Sequence, residues 1–130
     1  ALKSLGDAPS ASIVYIGDGI SRSNVLNKLQ FQNLISRLVS AKIAVNALAI
    51  GPQLNVEGLA TLANHTGGVV LVRNAMQAST QEIGSQLSSV AIAPVFWVSS
   101  VKTPSEVELV LPKQFPPLRR DRDTIVLGKL

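Results

Sequence analysis

The chain has 130 residues, enough for one domain or for part of a domain with an appendage. Apolar residues make up 46% and aromatics only 4%, so the core must be aliphatic, and the absence of cysteine excludes disulfides, thiolate metal sites and cysteine nucleophiles. The net charge of +4 is split evenly, with six bases and four acids on each side of residue 93 and no long block of one sign, which argues against nucleic acid as a partner.

In chain order, residues 1–6 read as the last turns of a helix stopped by Gly6, followed by a turn at 7–10. Ser12 to Ile16 is an apolar run that ends in Gly17-Asp18-Gly19, the pattern of a buried parallel strand delivering one carboxylate to the carboxyl edge of a sheet. Ser21 to Asn24 offer helix N-caps. A helix from about Val25 to Ala41 carries Leu26, Leu29, Leu34, Ile35, Leu38 and Val39 as one broad stripe. Ile43 to Ile50 reads as a second buried strand, stopped by Gly51-Pro52. Asn55 caps a short helix with Val56, Leu59, Leu62 and Ala63, and Thr66-Gly67-Gly68 ends it. Val69 to Val72 is a third strand. Ser79-Thr80-Gln81-Glu82 is a capping box opening a helix with Ile83, Leu87, Val90 and Ala91. Strand and helix alternate three times through short loops, which predicts an α/β fold with parallel strands.

The pattern changes at Ala93-Pro94. Val95 to Val98, Val107 to Leu111 and Thr124 to Leu127 read as strands, Arg119 to Asp123 as a charged turn, and no helical period occurs. The expected division is therefore residues 1–93 as a parallel three-strand unit with flanking helices, and 94–130 as a β extension or the start of a second domain. No apolar run reaches the length of a membrane span. With neither an initiator Met nor a signal peptide, the chain reads as a piece of something longer.

Three segments, in order and at the right spacing, carry a family resemblance: Ile13-Val14-Tyr15-Ile16-Gly17-Asp18-Gly19; Val45 to Gly51 with Asn55 and Leu59; and Leu62-Ala63-Asn64-His65-Thr66-Gly67-Gly68. Together they resemble the C-terminal half of a von Willebrand factor type A domain, from about residue 1 to residue 91. The resemblance implies a non-enzymatic module for protein–protein interaction or adhesion, with an extracytoplasmic or secreted setting favoured. In that family an Asp-x-Ser-x-Ser motif, a Thr and the Asp of Thr-Asp-Gly hold Mg²⁺, Mn²⁺ or Ca²⁺, and a partner's carboxylate completes the shell. Asp18 matches the last of these ligands, with Gly17 where the Thr would stand, but the Asp-x-Ser-x-Ser motif is absent from the chain. The implication is a metal ligand at Asp18 in an intact parent protein and no cofactor held by this chain alone. Gly17, Asp18, Gly19, Ser21 and Ser23 would line the binding edge. The family's strand order, 3-2-1-4-5-6, leaves Ser12 to Ile16 as an exposed edge, expected either to form a homodimer or to be filled by the chain's own β-tail.

Plainer readings stand beside these. Asp18 fits a cap at the start of the following helix. His65, the only histidine, sits on the last turn of a helix, where a cation favours the dipole, rather than beside a nucleophile. No phosphate loop occurs. Arg119, Arg120 and Arg122 alternate with Asp121 and Asp123 as a solvated turn or an interface set. One or both of Phe96 and Trp97 belong in the core of the β-tail, whereas an exposed pair would mark a partner site. The alternatives to an interaction module are a small-molecule or nucleotide-binding α/β domain, which needs more acids at the strand ends than Asp18 alone, and a structural half-domain.

Overall fold

A computed structural model describes residues 11–21, 26–73 and 79–129. The helix expected over residues 1–6 and the N-caps at 22–24, Ser23 among them, lie outside the described residues.

Three parallel strands, β1 (Ala11–Gly17), β2 (Ile43–Ala49) and β3 (Val70–Val72), form one sheet in the order β1-β2-β3. Each is followed by a helix: α1 (Lys28–Ser40), α2 (Val56–Thr66) and α3 (Thr80–Ile92). Strand periodicity sorts the side chains between two faces. Ile43, Val45, Ala47 and Ala49 point to one face, where Leu34 and Leu38 of α1 and Leu59 and Leu62 of α2 cover them. Leu48 points to the other, with Ile83, Leu87 and Val90 of α3. A sheet stepping in one direction keeps its crossover helices on one side, so α1 and α2 share a face and α3 closes the opposite one. β2 is buried along its whole length.

The helix boundaries follow local chemistry. Ser79 and Glu82 form the expected capping box, and Asn55 accepts a hydrogen bond from the Gly58 amide. The first helix starts later than the sequence suggested. Asn27 and Gln30 form a capping box that sets its first turn at Lys28, so Leu26 precedes the helix and Leu29, on its first turn, is 66% exposed.

After α3 come four short strands: β4 (Val95–Phe96), β5 (Leu109–Leu111), β6 (Leu118–Arg119) and β7 (Leu127–Lys129). All pairing among them is antiparallel, β4 with β6 and β5 with β7 in two separate ladders. Several bounds differ from the sequence reading. The first tail strand ends at Phe96 rather than Val98, the second starts at Leu109 rather than Val107, the charged run begins inside β6 rather than lying wholly in a turn, and the last strand starts at Leu127, not Thr124. Neither ladder lies beside β1, so the β-tail does not fill that edge.

Candidate functional site

The carboxyl end of β1 is a knot of backbone hydrogen bonds. The Gly17 carbonyl accepts from the Ile50 amide at 3.1 Å, and the Asp18 carbonyl from the Asn55 amide at 2.8 Å. The Asp18 side chain folds back on its own loop, Oδ1 accepting from the Ile20 amide at 2.9 Å. This is an Asx turn, not the cap of α1, whose N-cap is Asn27. The Gly19 amide donates to the Tyr15 hydroxyl at 3.1 Å, and the Asn55 side-chain amide donates to the Gly19 carbonyl. Gly17, Asp18 and Gly19 are thus brought against the loop after β2. Ser21 is exposed and Ser23 lies outside the described residues. Asn55, read from the sequence only as a helix cap, is the residue that ties the two loops together.

Among the described residues no three His, Cys, Asp or Glu side chains gather into a cluster, and a hard cation needs several oxygens. His65 is exposed on the last turn of α2, near the amino end of the sheet, while Asp18 stands at the carboxyl end.

Along the outer side of β1 the arrangement is different. The Ala11 amide donates to the Lys42 carbonyl and the Gly17 carbonyl accepts from Ile50, so Ala11, Ile13, Tyr15 and Gly17 turn their backbone groups toward β2. In a parallel ladder the intervening residues face the other way. The amides and carbonyls of Ser12, Val14 and Ile16 therefore point outward, where no strand of the described residues meets them. Val14 is 42% exposed and Ile16 56% exposed. Nothing on this strand guards it: β1 holds no charge, no proline and no bulge.

The opposite end of the sheet is held by polar contacts that the sequence did not advertise. Asn46, fully buried in β2, donates to the Ser12 hydroxyl at 2.8 Å and accepts from the Val69 amide at 3.0 Å, spanning the sheet from β1 to the start of β3. The Thr66 hydroxyl accepts from the Val45 amide at 3.1 Å and donates to the Leu62 carbonyl, standing in for a strand where β3 has not yet begun. Gly67 takes the left-handed conformation, φ 75°, as the expected helix stop. Gly68 has another role: a Cβ there would fall on the Val45 carbonyl.

The β-tail is bolted to this same corner. Arg119, with its guanidinium buried, pairs with Asp121 and donates to the carbonyls of Gly67 at 3.1 Å and Val90 at 3.2 Å, the C-terminal ends of α2 and α3. Arg122 donates to the Gly68 carbonyl at 2.9 Å. Arginines suit such ends because free carbonyls and the negative end of the helix dipole meet there. The Arg119 hydrogen bond holds the Asp121 carboxyl below the usual carboxylate range, and burial pushes the Arg122 guanidinium down. The arginine cluster is thus an internal clamp rather than a solvated turn. Phe96 is exposed, with Arg120 over its ring, whereas Trp97 is half-buried beside a cleft of about 250 Å³ between Ser12, Asn46 and the end of α3. Its indole Nε1 is buried and finds no hydrogen-bond partner among the described residues. No helix among the described residues is long and apolar enough to cross a membrane. Comparison with known proteins found no match: no family model, no curated protein and no solved structure matches the chain.

Proposed function

We propose that this chain is a non-enzymatic protein-interaction module of von Willebrand factor A-like build, taking its partner along β1 and the loop at that strand's carboxyl end. The observation that carries the reading is the edge of β1, where Ser12, Val14 and Ile16 offer outward amides and carbonyls beside exposed apolar side chains. An uncharged, unguarded edge is a template for strand addition, in which main-chain hydrogen bonds supply affinity and alternate side chains supply selectivity. Gly17, Asp18, Gly19 and Ser21 extend that edge, with Asp18 as its one charge. The family likeness, and with it an adhesive role in a larger extracytoplasmic protein, rests on the three sequence segments. The Thr66-Gly67-Gly68 corner gives the third of them a physical reason, since each residue there does something a substitute would do badly. A non-enzymatic role agrees with the scatter of the reactive side chains, His65 and Asp18 standing at opposite ends of the sheet.

The test is a titration with a fluorescent seven-residue strand peptide of alternating Val and Thr, read by anisotropy. Saturable binding to the native chain is expected. It should be lost in Val14→Pro, which removes one outward amide and none of the bonds to β2. A peptide that fails to bind, or that binds the variant equally well, contradicts the reading.

A further inference from the structure

Resting on the reading of β1 as a docking strand, we infer that its occupant is a second copy of this chain, paired antiparallel about a two-fold axis at Val14. The outward groups are self-complementary. In an antiparallel ladder, residues whose amide and carbonyl both face the partner pair two by two and exchange two hydrogen bonds. Ser12, Val14 and Ile16 are spaced two apart, so one register satisfies all three: Val14 opposite Val14 of the second copy, and Ser12 opposite its Ile16 on each side. The two sheets then join as β3-β2-β1-β1-β2-β3, with the edge groups paired.

The side chains beside β1 favour this register. Those of Ser12, Val14 and Ile16 share the face covered by α3, and Ile92 at the end of α3 borders the same cleft as Ser12. Ile92 is 81% exposed, the most exposed large apolar side chain of the described residues. Pairing Ser12 with Ile16 of the second copy carries that isoleucine toward Ile92, twice by symmetry, and covers two side chains that one copy leaves in water. The same register brings Asp18 of the second copy to the strand end where Lys42 stands, opposite charges at both ends of the interface. The other edge of the sheet suits this less well. β3 has three residues and is followed by Arg73, a short edge ended by a charge.

The first measurement is the solution mass of the native chain by sedimentation from low micromolar to millimolar concentration. A rise from 13.7 kDa toward twice that value is expected. The register is read separately by a single cysteine, since the chain has none of its own. A hydrogen-bonded antiparallel pair sets its Cα atoms about 5.5 Å apart, within disulfide reach. Val14→Cys should therefore cross-link under mild oxidation, while Val72→Cys, exposed on the opposite edge, should stay uncoupled. Val14→Lys places like charges on the axis and should hold the mass at one copy, and mixing it with Val14→Glu should restore two. A native chain that stays at 13.7 kDa throughout, yet still binds the strand peptide, overturns the second copy and leaves the docking strand standing. Failure of both overturns the two together. Self-association with Val72→Cys cross-linking in place of Val14→Cys overturns the register. The cysteine result does not depend on Val14→Lys folding.

Discussion

β1 and β2 are both seven residues long, nearly all apolar, and paired residue for residue, yet β2 is wholly buried and β1 is largely exposed. Composition does not distinguish them, and neighbours do. β2 has a strand on each side and helices on both faces. β1 has one strand beside it, and α3 reaches it only in part. A residue pattern thus states what a strand can bury, and topology decides what it does bury. The one polar side chain in the middle of β2 sharpens the contrast. Asn46 is as buried as any residue in the chain because the start of β3 and the Ser12 hydroxyl of β1 satisfy it from both sides.

If β2 is the fixed part of the molecule, the largest losses should come from its surroundings. Gly68→Ala should be the most damaging, by about 4 kcal/mol or more. Its methyl group would meet the Val45 carbonyl, and neither backbone can yield without breaking the sheet. Chemical denaturation of the variant should show this, and a loss under about 1 kcal/mol would mean that the corner is looser than described. Asn46→Ala comes next, at about 3 kcal/mol, because it leaves the half-buried Val69 amide without a partner and opens a cavity between the strands. Asn46→Asp should be nearly as costly, through an uncompensated buried charge.

Both sites show where the sequence could be read and where it could not. The alternation of strand and helix, the capping box at Ser79 and the helix stop at Gly67 are local events, and local residues announce them. The role of Asn46 has no local signature, because its partners lie 34 and 23 residues away in the chain. Arg119 reads as one charge in a mixed turn, because the two carbonyls it holds, at the ends of α2 and α3, lie 52 and 29 residues earlier. The start of α1 differs from the sequence reading because three candidate caps, Ser21, Ser23 and Asn24, precede Asn27, and only the reciprocal Gln30 contact picks the right one. At Asp18 the Gly-Asp-Gly pattern announced a loop at the sheet edge. The link to Asn55 was not visible, since it depends on how the second crossover returns.

The β-tail offers a gentler way to separate the regions. Arg119→Met keeps the length of the side chain, removes the hydrogen bonds to Gly67 and Val90, and should cost about 2 kcal/mol. The protection of β4 and β6 against hydrogen exchange should fall while that of β2 is unchanged. Equal loss in both regions would contradict an independent clamp. Acid should act on the same clamp with a smaller effect. Asp121 ionises below its ordinary value because Arg119 hydrogen-bonds it, so its contribution is complete above the unfolded aspartate value, about pH 3.9. That contribution is lost as pH falls through the lower folded value. Glu82, held down by its Ser79 contacts, loosens the first turn of α3 in the same direction. A tail signal that weakened on raising the pH from 4 to 6 would carry the wrong sign.

The most direct test of the account is amide hydrogen exchange along β1 in dilute solution, resolved residue by residue. Ile13, Tyr15 and Gly17 should be protected, and Ser12, Val14 and Ile16 should exchange rapidly, an alternation absent from β2. Uniform protection of all six at the lowest concentration measured would mean that the edge is already covered within one copy, contradicting the open strand on which both the proposed function and the self-pairing rest.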